Sequence, residues 1–321
     1  MENDLKIEYT IEKHLSELCL QNTDFEILNA VWKLNKKKIG FGLNNVSSSF
    51  PHYSLHDRSH SNTIIRNIES FLGEERIRKL SPSDSFLILM AAYTHDIGML
   101  LLHSIIQKEW ENTEFEDFLI STKENSNDVD LVKAAKLILD FTQKSNEREI
   151  ENLGWALEVK NAVILLTADF FRRTHHSRSK DYISVDNNEF KRIAQGFYSD
   201  QLPNRFLDLL GEIAYAHGIS FLQVLDNLDF QADGFQSDKI HPRFIAYLIR
   251  LGDLLDVDDN RFDEFSLHQL SKIPNTSIIH KGKHASIKHL LISPQSIEAR
   301  VDCNNENVYR TARQWFDWLI D

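Results

Sequence analysis

The sequence predicts a mainly α-helical protein with a small C-terminal β-hairpin. Three observations lead there. Apolar residues recur every three or four positions through most of the chain, and the stretch 86–92 is apolar on all sides, as a helix buried inside a bundle must be. Only at 286–293 and 296–303, around Pro294-Gln295, does the pattern change to strand-like runs of Ile, Leu and Val. With 321 residues, 42% of them hydrophobic, the chain can build an ordinary core. It divides into N-terminal helices at 1–50, a helical core at 51–262, and a part at 263–321 made of the hairpin and a last helix, with room for a further domain beyond.

Taken in order, helices are expected at 8–20, with Ile11, Leu15 and Leu18 on one face, and at 24–38, with Phe25, Leu28, Val31 and Trp32 on another. Lys36, Lys37 and Lys38 read as a solvated helix end, and the breakers from Gly40 to Pro51 as a loop. Asp57 is placed to cap a helix that runs to Leu72 and stops at Gly73, with His60, Ile64 and Ile68 on its inner face. Ser81-Pro82-Ser83-Asp84 opens the next helix, which runs into His95-Asp96. After an apolar stretch at 99–110, the polar segment 112–128 reads as a loop. Helices follow at 129–141, 155–174, 189–198, 204–217 and 219–228. Pro242 opens a strongly apolar helix that puts Asp253 on the same face as Ala246 and Ile249, and 308–320 closes the chain with Trp315 and Trp318.

Composition narrows the function. A formal charge of −12 argues against coating nucleic acid through a general basic surface, which relies on Lys and Arg displacing counterions. No apolar run reaches the roughly 18–20 residues of a membrane span, and the first residues lack the blocks of a signal peptide, so a cytoplasmic protein without membrane contact is expected. Two distant cysteines, Cys19 and Cys303, offer neither a disulfide framework nor a thiolate metal motif, whereas fourteen histidines are many.

His60, His95, Asp96, His175, His176, His217 and Asp253 stand at inner faces or ends of apolar helices. Imidazole and carboxylate ligands without thiolate suit one or two divalent ions such as Mn, Mg, Fe, Ni or Zn. Such ions acidify bound water and clamp phosphoryl oxygens, which is the chemistry of hydrolysis. Of the adjacent His175 and His176 only one ring is expected to point inward, and His176 is preferred. His217 is read as a ligand or substrate contact, with a helix-end cap as the alternative. Arg172, Arg173, Arg178 and Lys180 either bind phosphate or solvate a helix end, while His56-Asp57 reads as a cap or support for the site. Arg250 and Arg261 are expected to pair with Asp256 and Asp258, and His280, His284 and His289 to be surface or packing residues.

The order His60, His95-Asp96, Asp253 resembles the HD superfamily of metal-dependent phosphohydrolases, over roughly residues 50–260. The resemblance implies an HD-type helical bundle in which those four side chains hold a metal and the Asp of the doublet is able to bridge to a second ion, with His175, His176 and His217 in the interval where two-metal members carry further histidines. Through Tyr53-Ser54-Leu55-His56-Asp57-Arg58-Ser59-His60-Ser61 and Thr174-His175-His176-Ser177-Arg178-Ser179 the chain is most similar to a subgroup found beside, or fused to, Hsp90-like ATPase modules in bacterial proteins. Met99 stands where the deoxynucleotide triphosphohydrolases carry a catalytic histidine and the Gly-Tyr-Pro cyclic-dinucleotide phosphodiesterases a lysine, so neither activity is implied. The expected function is hydrolysis of a phosphate ester or phosphoanhydride, as in a nucleotide, with His176, His217, Arg172 and Arg178 serving the reaction. A metal nuclease acting on single-stranded nucleic acid and a nucleotide sensor governing an attached ATPase module are the alternatives.

Overall fold

In the computed structural model, which describes residues 9–144, 153–184, 200–257, 261–262 and 273–320, the wholly apolar segment is the axis of the bundle. This helix, α5 (Pro82–Thr94), starts where the Ser81 hydroxyl accepts from the Asp84 amide, and everything from Ser83 to Thr94 is buried. A helix with no solvent face must be covered on all sides. The covering is done by α1 (Thr10–Gln21), α2 (Glu26–Leu43) and α4 (Arg58–Ile77), while the one-turn α3 (Val46–Ser49) between α2 and α4 packs elsewhere. On the other flank lie α11 (Asn204–Ala216) and α13 (Pro242–Leu254). A second apolar cluster joins α6 (His103–Trp110), α7 (Thr113–Asn125), α8 (Val129–Lys144) and α9 (Leu153–Arg173). Then α10 (His175–Ile183) packs against α11, and the short α12 (Phe221–Asn227) leads toward α13.

The strands described are two antiparallel pairs. The ribbon of β1 (Ala232–Asp233) and β2 (Lys239–Ile240) tucks under the start of α5, where Asp84 accepts from the His241 amide and its ring Nδ1, each at 2.9 Å. The predicted hairpin is β3 (Ile287–Ile292) with β4 (Ile297–Val301), preceded by α14 (Asn275–Ser286) and followed by α15 (Glu306–Ile320). Its Pro294 turn rests on Gly73, which breaks α4 at φ 69°. A Cβ there would lie 2.7 Å from Pro294 Cγ, so the same glycine supplies both the left-handed backbone and the space. No single described helix is long and apolar enough to cross a membrane.

Several expectations need correction. The region from Gly40 to Pro51 is not a continuous loop: α2 runs through both glycines because Ile39 and Leu43 keep its buried face intact, and α3 follows. Lys36 is no solvated end. It is 7% exposed and pairs with Glu12 at 2.8 Å, while Trp32 Nε1 donates to the same carboxylate, tying α1 to α2. The segment 112–128 is mostly α7, capped by Asn112 and burying Phe115, Leu119 and Thr122 at helical spacing. Its four acidic residues, Glu114, Glu116, Asp117 and Glu124, hide that stripe in the sequence. Helix α14 was not anticipated, and the helix expected at 189–198 lies outside the described residues.

Candidate metal centre

Five helix ends converge on one carboxylate. His60 stands in the first turn of α4, where Asp57 accepts from the Ser59 and His60 amides and fixes the start. His95 is the C-cap of α5 and Asp96 follows it. His175 opens α10, His217 is the C-cap of α11, and Asp253 lies in the last turn of α13. Asp96 Oδ2 is 3.1 Å from His95 Nε2 and 3.4 Å from His60 Nε2, and its Oδ1 is 3.1 Å from His175 Nε2 and 3.5 Å from His217 Nε2. Asp253 Oδ1 is 3.2 Å from His60 Nε2.

The other ring nitrogen of every one of these histidines is engaged. His60 Nδ1 donates to Asp256 at 2.6 Å, His95 Nδ1 to the Ala92 carbonyl at 3.2 Å, and His175 Nδ1 to the Arg172 carbonyl at 2.7 Å. His217 Nδ1 donates to the Ala214 carbonyl. A carbonyl can only accept, so Nδ1 carries the proton and Nε2 turns its lone pair inward, the usual second-layer support of metal-binding imidazoles. The buried Nε2 atoms of His60 and His95 have no hydrogen-bond partner, and those of His175 and His217 face each other at 2.9 Å. Opposed lone pairs beside carboxylates are a poor arrangement without a cation. Two groups could hold one: His60, His95 and Asp253, and Asp96, His175 and His217. The residues fit a divalent metal with nitrogen and oxygen ligands.

Burial works to raise the Asp96 carboxyl, yet His95, His56, His175 and His217 hold it well below its usual range. His60 goes the opposite way. Burial and Arg261 disfavour its charge, but the surrounding carboxylates of Asp253, Asp256 and Asp96 prevail and raise it to about 10. A histidine raised on folding contributes stability that is complete below its unfolded value, about 6.5, and fades as pH climbs through the folded value. Metal needs the neutral ring and so displaces this proton. The metal-free protein is therefore expected to melt at falling temperature from about pH 6.5 to about 10, while metal affinity rises by up to about tenfold per pH unit. Affinity independent of pH across that window would show that His60 carries no such proton.

Gly98 sets where His175 lies. Its amide donates to Ser179 Oγ at 2.9 Å, and Arg178 Nε donates to its carbonyl at 2.8 Å, so the turn after the doublet is docked on α10. A Cβ at Gly98 would collide with the His175 carbonyl oxygen and the Ser179 amide. Gly98→Ala should cost about 1–3 kcal/mol by overpacking. It should also reduce metal content at the Asp96–His175–His217 group before the other. Elemental analysis alongside thermal melting checks both, and full metal content would contradict the placement.

Other expected residues fall elsewhere. It is His175, not His176, whose ring turns inward, because the start of α10 directs it to Asp96. His176 instead packs on Tyr215 with ring centroids 5.2 Å apart. Arg178 spends its guanidinium on Gly98 O, Thr174 and Phe171 O and lies over the Phe171 ring, so it braces α10. Arg173 pairs outward with Asp169. Arg261 pairs with Asp256 at 3.0 Å as expected, whereas Arg250 donates to the Ile219 carbonyl, and Asp258 lies outside the described residues.

A cavity of about 490 Å³ opens onto Asp96, His175, His217 and Asp253, with Arg172, Arg250 and Met99 also on its wall. His56, from the doublet read as a cap or support, also lines it and brings Nε2 to 3.9 Å from Asp96 Oδ2. The signal for it was faint: a histidine one residue before a helix cap.

No curated protein and no solved structure matches the chain. The sequence profile of one family, HD-CE, matches residues 50–321, which takes in all the metal donors and runs through the hairpin to the last helix. With His60, the His95-Asp96 doublet and Asp253 gathered at one buried point, the chain belongs to the HD-CE family.

Proposed function

We propose that the chain is a metal-dependent phosphohydrolase that cleaves a phosphate ester or phosphoanhydride of a nucleotide. The observation that carries this reading is the pair of donor groups joined through Asp96, with inward Nε2 atoms opening onto a cavity that also holds arginines. Divalent ions held there supply Lewis acidity to a phosphoryl oxygen and acidify water. His60, His95 and Asp253 would hold one ion, and Asp96, His175 and His217 would hold a second. Arg172 faces the cavity and offsets the charge of the phosphoryl group. His56 is the nearest imidazole beyond the donor groups. Burial lowers it to about 3, so it stands neutral, and with Nδ1 donating to the Ser54 carbonyl at 2.6 Å its Nε2 is left as an acceptor that can orient a water by hydrogen bonding.

One observation favours a second reading. Met99 lines the cavity and cannot transfer a proton, which suits a site that binds a nucleotide and reports it to an attached module, such as the Hsp90-like ATPase of the subgroup the sequence resembles. Phosphate release from a panel of nucleotides and single-stranded oligonucleotides, with Mn or Mg and then with a chelator, separates the readings. Chelator-sensitive release from a nucleotide supports the hydrolase, and tight nucleotide binding without product supports the sensor. Strand cleavage that weakens steeply with salt would replace both with a nuclease.

A further inference from the structure

A second cavity, of about 330 Å³, adjoins the first and shares His56, Arg172, Asp253, Leu254 and Trp318 with it, so the two form one cleft. Away from the metal donors it is walled by His52 and Arg172 on one side and by His280 and Lys283 of α14 on the other. We propose that this cavity is an anion subsite in which Arg172 and Lys283 hold a second phosphate group, so that the substrate is a nucleoside polyphosphate rather than a monoester. The inference rests on the phosphohydrolase reading of the neighbouring metal donors.

Three features carry it. First, the cations are unpaired: among the described residues neither the Arg172 guanidinium nor the Lys283 ammonium has a hydrogen bond or ion pair, and Arg172 only lies over the Tyr53 ring at 4.9 Å. The carboxylates on the same walls are committed elsewhere. Asp256 serves His60 and Arg261, Asp169 serves Arg173, Asp128 caps α8 through the Asp130 and Leu131 amides, and Asp253 belongs to the metal donors. Second, His52 is 1% exposed and neither ring nitrogen has a partner, although buried polar atoms normally do. A phosphate oxygen in the cavity would provide one. Third, Asp253 lines both cavities, so a phosphoryl group at the metal donors has the second cavity beside it. Burial and Arg261, opposed by Asp253 and aided by Arg172, bring the Lys283 ammonium down to about 8.

The test compares a nucleoside 5′-monophosphate with the 5′-triphosphate of the same base, on the metal-loaded full chain and on Lys283→Gln, Arg172→Gln and Lys283→Arg. Calorimetry with inorganic tripolyphosphate, on metal-loaded and metal-stripped chain, is run in parallel. Lys283→Gln is expected to reduce the triphosphate-to-monophosphate ratio of kcat/KM at least tenfold, mainly through KM, with Lys283→Arg keeping most of it. Tripolyphosphate should bind the metal-stripped chain and lose at least tenfold in affinity in either glutamine variant. Equal losses for both nucleotides in Lys283→Gln, or tripolyphosphate binding indifferent to Lys283 and Arg172, would overturn the subsite. Should wild-type chain turn over neither nucleotide while tripolyphosphate binding still depends on Lys283 and Arg172, the subsite stands and the hydrolase reading falls.

Discussion

Replacing His95 and Asp96 together by alanine is expected to abolish metal-dependent phosphate release. The double variant takes one ligand from the first donor group and the carboxylate that both groups share, leaving His60, His175 and His217 with no common anion. Metal catalysis stabilises the transition state by several kcal/mol. At about 1.4 kcal/mol per tenfold, the loss in kcat/KM is on the order of a thousandfold or more. Metal content should fall with it, and circular dichroism separates this from unfolding. A folded double variant with unchanged activity and metal dependence would end the hydrolase hypothesis.

The second large effect is expected at a residue outside the donor groups. Asp256 is 3% exposed and binds both His60 Nδ1 at 2.6 Å and Arg261 at 3.0 Å. Asp256→Asn keeps the shape but removes the charge, leaving Arg261, itself 8% exposed, without its counter-ion. Unpairing a buried ion typically costs about 3–5 kcal/mol, so the metal-free protein should melt markedly lower. Loss of support for a ligating imidazole also lowers metal affinity by about 10–100-fold. Because Asp256 is one of the groups that raise His60, the pH window for metal binding should move down in the variant. Denaturation curves and metal titrations against pH check these effects, and a variant indistinguishable from wild type in both would show that Asp256 neither supports His60 nor balances Arg261.

Much of the centre could be read from the sequence because burial leaves a periodic trace. An all-apolar helix ending in His95-Asp96, and His60 and Asp253 in register with apolar neighbours, are local patterns. What joins them to His175 and His217 is not local. The choice between His175 and His176 is settled by the docking of α10 on Gly98, a contact between residues some eighty positions apart. The same holds for Lys36, whose partner Glu12 lies on another helix, so a lysine triplet looks solvated until α1 and α2 are packed together. Lys283 left no trace at all: it sits in an unanticipated helix, with no partner to suggest and only a cavity to give it meaning. Apolar faces are written in the chain one residue at a time, whereas convergence of charged ones is written in the packing.

One contact in the hairpin's neighbourhood bears on how the protein is made. The indole of Trp315, on α15, donates to the Leu254 carbonyl at 2.7 Å, one residue beyond Asp253 and 61 positions along the chain. Its ring is 3% exposed, packed with Leu255 and Val257 at the end of α13. During synthesis, His60, His95 and Asp96 leave the ribosome long before this clamp does. A nascent chain thus carries most of the candidate donors early, while the backbone beside Asp253 stays unclamped until Trp315 emerges and docks, which places completion of the centre after the synthesis of α15.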